Sequence, residues 1–227
     1  MNTTLLLGAA LLTLVTSSAT FAEEARLVRE NIEWCDLWIP DVNAADMPHV
    51  LLIGDSITKG YYGGVAEPLK GKASVARLAT SKSLGDPAYL AEVALVAGQC
   101  KFDVVHFNNG MHGWGYTEEE YRKAFPELLA TLRKHAPTAK LIWATTTPVR
   151  SRDKLADLDA RTERVRARNR IAAEFVTEAG IATDDLFALG EPHPEYSSPD
   201  GVHFNGTGIA AQAAQVARMV GEALTGR

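Results

Sequence analysis

Between residues 49 and 226, short apolar runs alternate with longer stretches of helical periodicity, and this alternation restricts the possible fold more than any other feature. Residues 50–53, 74–78, 104–107, 141–145 and 181–183 read as strands, each bounded by Gly, Asp, Asn or Thr. Thr117-Glu118-Glu119-Glu120 has the capping-box pattern and opens a helix with Tyr121, Phe125, Leu128, Leu129 and Leu132 on one face. Pro126 is expected to kink that helix and Pro137 to stop it. A second helix is expected from about 155 to 179, where Leu158, Val165, Ala172 and Val176 recur near the helical period and Gly180 suits a left-handed cap. A third, from about 206 to 224, is rich in Ala, Val and Ile. Strand and helix repeated five times imply a parallel sheet covered on both faces.

The first 22 residues carry no charged side chain, residues 5–15 are apolar, and Thr20-Phe21-Ala22 precedes Glu23-Glu24. This pattern predicts a signal peptide, because so short an apolar core does not cross a bilayer. No cysteine sits just after the expected cleavage point, so no lipid anchor is expected and the mature protein should be secreted or periplasmic. About 205 of the 227 residues then remain, room for one domain with a sizeable core. Residues 23–48 read as an N-terminal segment packed on the 49–226 domain, with the stretch 34–40 either beside the first strand or over part of a cleft.

A net charge of -5, with acidic and basic residues interspersed, argues against a nucleic-acid surface. The densest basic stretch, residues 161–170, reads as a solvated helix face. Cys35 and Cys100 would meet an oxidising compartment, and the sequence leaves open whether they form a disulfide or stay as two thiols. Neither has a second ligand at metal-binding spacing, so neither a metal nor another cofactor is expected.

Two motifs carry chemistry. Gly54-Asp55-Ser56-Ile57-Thr58 directly follows the first apolar run, and Asp200-Gly201-Val202-His203 precedes the last helix. A serine hydroxyl is a poor nucleophile until a base takes its proton and a carboxylate orients that base. In an open parallel sheet, chemistry gathers at the carboxyl ends of the strands, where Ser56, the Gly110–His112 loop and the Asp200–His203 loop all fall. The spacing of Asp200 and His203 lets the carboxylate accept from one ring nitrogen while the other faces Ser56. Taken singly, Asp200 would pass for a turn residue and His203 for a polar residue flanking the helix start.

The order of Gly54-Asp55-Ser56-Ile57-Thr58, Gly110-Met111-His112 and Asp200-x-x-His203 resembles the SGNH hydrolases, the GDSL esterases and lipases, over nearly all of residues 49–226. The resemblance implies a three-layer α/β/α, flavodoxin-like fold with a five-stranded parallel sheet, and ester hydrolysis through an acyl-serine. It makes Ser56 the nucleophile, His203 the general base and acid, and Asp200 the group that orients His203. Family members commonly carry Gly-x-Asn-Asp in the third block, whereas this chain reads Gly110-Met111-His112-Gly113. A ring N–H can donate to developing negative charge, so His112 is expected to replace that Asn in the oxyanion hole. The alternatives for His112 are substrate binding or a structural bond to Asn108 or Asn109. The backbone N–H groups of Ser56 and Gly85 would complete the hole, although Gly85 also suits a Gly-Asp-Pro turn on conformational grounds.

Trp34, Trp38, Trp114, Tyr61 and Tyr62 lie near strand ends or in the N-terminal segment. Trp114 follows His112 closely and is the expected platform for a sugar ring, while packing serves equally for Trp34, Trp38 and Trp143. His193 either faces the same cleft or simply belongs to a rigid Pro-flanked loop. Without a long apolar lid, the chain looks more like a carbohydrate O-acetylesterase than a lipase, with a small-molecule or polysaccharide ester as substrate. The alternatives are a lysophospholipase or thioesterase of the same fold, and a noncatalytic carbohydrate-binding protein.

Overall fold

The computed structural model describes residues 26–226; the expected signal peptide lies outside the described residues. In chain order the elements are β1 (Cys35–Trp38), β2 (His49–Gly54), α1 (Ser56–Leu69), β3 (Ser74–Thr80), α2 (Pro87–Ala97), β4 (Val104–Phe107) and α3 (Glu118–His135). They continue with β5 (Lys140–Ala144), α4 (Arg161–Glu178), β6 (Ala182–Asp184), α5 (Leu186–Gly190) and α6 (Gly206–Thr225). The strands form one sheet in the order β1-β3-β2-β4-β5-β6, in which only β1 runs antiparallel.

Each central strand is buried on both faces, which is why it reads as a continuous apolar run rather than an alternating one. Leu51 and Ile53 of β2 face one layer with Tyr89, Phe125 and Val176 from α2, α3 and α4. Val50 and Leu52 face the other with Tyr61 and Val65 of α1 and Val216 and Val220 of α6. This is the expected three-layer α/β/α arrangement, with six strands rather than five. The additional strand, β1, is mostly exposed, and it joins the sheet through backbone pairing of residues 35–38 with β3 rather than through apolar periodicity.

The capping box forms as expected: Thr117 Oγ1 accepts from Glu120 N at 3.1 Å, and Glu120 Oε2 accepts from Thr117 N at 2.6 Å. The helix continues through Pro126 to His135. α4 begins at Arg161 instead of near 155, because residues 149–159 turn back on themselves through Ser151 N to Asp157 O and Asp159 N to Val149 O. Gly180 has φ 64° and closes α4 as expected. The basic stretch is not wholly solvated, since Arg168 is fully buried. Cys35 and Cys100 are unpaired. Cys35 sits opposite Thr80 at the C-terminal end of β3, whereas Cys100 precedes the N-terminal end of β4, so the sheet separates them. No described helix is long and apolar enough to cross a membrane.

Candidate active site

β2 is flanked by β3 on one side and β4 on the other, so the chain reverses its direction of travel across the sheet here, and a crevice opens at the carboxyl end of β2. Ser56 stands there, at the first residue of α1. Asp55 caps that helix by accepting from Ile57 N at 2.8 Å. A Cβ on Gly54 would lie 2.0 Å from Thr58 Oγ1, so the glycine lets the helix start directly against the strand end.

Ser56 Oγ lies 2.8 Å from His203 Nε2, and His203 Nδ1 lies 2.7 Å from Asp200 Oδ2. An ionised carboxylate only accepts, which puts the neutral ring's proton on Nδ1 and leaves Nε2 free to take the serine proton. The second oxygen, Asp200 Oδ1, accepts from Val202 N and His203 N, both at 2.8 Å. Partial burial opposes ionisation of Asp200, but these bonds and the His203 ring outweigh it and hold the carboxyl at about 2. The intervening Gly201 has φ 72°, and a Cβ there would lie 2.1 Å from Arg150 O. Arg150 itself is buried: its guanidinium donates to Leu155 O, Gly190 O and Glu191 O, and its N–H to Gly201 O. The Asp200–His203 loop is thus built on Arg150, a contact with no local signature.

Ser56, His112, Trp114 and His203 line one cavity of about 330 Å³. A larger cavity of about 670 Å³ lies at the opposite end of the strands, among Arg133, Lys140, Ala179 and Glu222, and contains no nucleophile paired with a base. His112 Nδ1 is 2.8 Å from Glu30 Oε1, its Nε2 is buried without a partner, and the Trp34 ring meets it edge-on at 6.1 Å. Asn108 and Asn109 do not hold His112. Asn108 donates to Ala144 O and Thr146 Oγ1, and Asn109 joins Lys82 O to Leu84 N. Gly85 is not brought to the cavity lining: its N–H is 3.4 Å from Ser83 Oγ, and a Cβ there would meet the Tyr116 ring at 2.6 Å.

Arg168 carries the His112 loop from beneath. Its Nη1 donates to Gly110 O at 2.9 Å and His112 O at 2.7 Å, and its Nη2 to Gly113 O at 3.0 Å. Burial pulls this guanidinium below the usual arginine range, yet it remains charged. The signal was present in spacing: Arg168 shares a helix face with Val165, Ala172 and Val176, a position otherwise reserved for core residues. Trp114 is covered by the guanidinium groups of Arg168 at 4.9 Å and Arg164 at 5.6 Å from its centroid, so these cations compete with a sugar for its faces. Tyr61 is core, Tyr62 lies under Arg77, Trp143 is buried, and His193 stacks on Tyr196 away from the cavity.

The N-terminal segment joins the sheet, but beside the second expected strand rather than the first: β1 pairs with β3, while Val28, Arg29 and Glu30 form a strap over the cavity mouth. Arg26 Nη2 donates to Gly115 O at 2.9 Å, Val28 N to Tyr116 Oη at 2.9 Å, and Arg29 pairs with Asp86 at 2.8 Å. Among the described residues, no three His, Cys, Asp or Glu side chains gather where they could hold a metal.

Residues 52–211 match the family model of the GDSL-like lipase/acylhydrolase family. No curated protein sequence is detectably similar. Among solved structures, a GDSL-like lipase from Bacteroides thetaiotaomicron is 16% identical, covering 81% of this chain and 95% of its own, with a TM-score of 0.63. A carbohydrate esterase family 3 protein from Talaromyces cellulolyticus is 20% identical, covering 80% of this chain and 100% of its own, with a TM-score of 0.64. An acetyl esterase mutant with an acetate ion is 18% identical, covering 78% and 97%, with a TM-score of 0.60. With the family model spanning both the nucleophile and the Asp200–His203 loop, and the fold shared along most of its length, the chain belongs to the GDSL-like lipase/acylhydrolase, or SGNH hydrolase, family of ester hydrolases.

Proposed function

We propose that this protein is a serine esterase that removes acetyl groups from carbohydrate. The observation that carries the reading is the continuous Ser56–His203–Asp200 relay, with steps of 2.8 Å and 2.7 Å, opening onto the cavity. Ser56 Oγ attacks the ester carbonyl carbon as its proton passes to His203 Nε2. Asp200, ionised and triply hydrogen-bonded, fixes the ring and stabilises the resulting imidazolium. The tetrahedral oxyanion collapses, the alcohol leaves with the proton from His203, and water repeats the sequence to release the acid and restore Ser56. His112 contributes a side-chain donor to the oxyanion.

A carbohydrate alcohol is favoured by the polar rim of Arg29, Glu30 and Arg161, which suits hydroxyl groups better than an extended acyl chain. The likeness to a carbohydrate esterase and to an acetyl esterase is consistent with it. The uncharged leader supports export to a compartment where such polymers are met. A panel of p-nitrophenyl esters from acetate to octanoate tests the proposal with wild type and Ser56→Ala. Preference for acetate, abolished by the substitution, is the expected result. Preference for long chains overturns the acetyl assignment, and no turnover of any ester overturns the enzyme.

A further inference from the structure

Apart from Ser56 and the two histidines, the side chains lining the cavity are of two kinds. Arg29, Glu30 and Arg161 are charged, whereas Val28, Met111 and Val202 are apolar, and Trp114 lies under its two guanidinium groups. An ester divides the same way. Its sugar alcohol carries hydroxyl groups that need hydrogen-bond partners, while its acyl chain carries only C–H groups beyond the carbonyl. The acyl chain therefore belongs against Val28, Met111 and Val202, where no polar group loses water to receive it.

Two of these three walls are fixed from behind. Met111 packs with Val149 and Val165, and Val202 joins the same cluster. Val28 is carried instead by the strap and stands outside the core clusters of the described residues. It is the strap residue turned inward, since it is half-buried while its neighbour Leu27 is left 56% exposed.

Polar bonds seat the strap without using the Val28 side chain. Val28 N donates to Tyr116 Oη at 2.9 Å, Tyr116 Oη donates to Arg26 O at 3.3 Å, and Arg26 Nη2 donates to Gly115 O. Gly115 lies against the valine: a Cβ there would come within 2.3 Å of Val28 Cγ1. The missing side chain lets Val28 settle onto the backbone of the loop that follows His112. Its methyl groups are thereby held at a fixed place in the cavity that Ser56 and His203 share.

Resting on the esterase reading, we infer that Val28 is a specificity-determining residue that closes the acyl side of the cavity and limits the chain that Ser56 can accept. An acetyl group fits between Val28, Met111 and Val202, and a longer chain meets the strap. The limit is set by a segment outside the core, so it can change without disturbing the sheet or the Ser56–His203–Asp200 relay.

The test is kcat/KM of the full-length chain for p-nitrophenyl acetate and butyrate, taken as a ratio on one preparation of each variant so that the fraction of active protein cancels. Val28→Ala deletes two carbons, the number by which butyryl exceeds acetyl, so the butyrate-to-acetate ratio should rise about tenfold or more over wild type. Val28→Leu adds a carbon and should lower the same ratio by about threefold or more. A strap that was merely loosened would shift both variants the same way. An unchanged ratio in either variant, or a rise in both, overturns the proposal and leaves the esterase standing. No turnover of any ester by wild type, or turnover retained by Ser56→Ala, overturns the serine-esterase reading and the acyl pocket with it.

Discussion

Asp200 spends both oxygens on one loop, and its three bonds have consequences for stability as well as chemistry. Its carboxyl is held at about 2 in the folded chain, against about 3.9 for an unperturbed Asp. The unfolded chain binds the proton more readily, so stability rises with pH across that window. The contribution is fully present above about pH 4 and is lost as pH falls towards 2. Urea midpoints measured between pH 5 and 2 should fall steeply for wild type and less steeply for Asp200→Asn. The same variant should lower kcat by roughly 1,000-fold or more at neutral pH, because the ring loses the partner that fixes its tautomer. Gly201→Ala should destabilise by about 1–3 kcal/mol, since a left-handed backbone and a carbonyl 2.1 Å from the new methyl both oppose it. Denaturant midpoints measure that cost, and a parallel loss of kcat would show His203 displaced.

Of the five strands legible in the sequence, β2, β3 and β4 are buried on both faces, and double burial leaves little room for polar residues along a run, whereas β5 is buried only towards its end and the short β6 is mostly exposed. β1 escaped because its side chains are mostly exposed, and only its backbone joins the sheet. The motif loops were legible wherever the chemistry needs residues close in sequence, as with Asp200 and His203. They were not where support comes from far away, as with Glu30 beneath His112 or Arg150 beneath Gly201. Arg168 in α4 is the sharpest instance, a charge on an apolar face whose purpose is supplied by a loop more than 50 residues earlier. Arg168→Met should leave three or more buried carbonyls without donors and destabilise by about 2–5 kcal/mol. Arg168→Lys should recover little of this, because an ammonium cannot span the carbonyls that the guanidinium fork reaches. Chemical denaturation of both variants is the measurement.

The two cysteines lie at opposite ends of the sheet and remain thiols. Burial is the main cause pushing both above the usual thiol range, so neither is primed as a nucleophile. Iodoacetamide added to the denatured, unreduced protein should give two adducts by mass spectrometry, where a disulfide would give none. Ser56 and His203 lie 147 residues apart, with most of the domain between them. During synthesis the nucleophile therefore emerges early and waits for its base until nearly the whole chain has been made. Chains in which the Asp200–His203 loop has not docked should be silent towards esters, so the appearance of turnover on refolding is expected to time the arrival of that loop rather than the formation of the sheet.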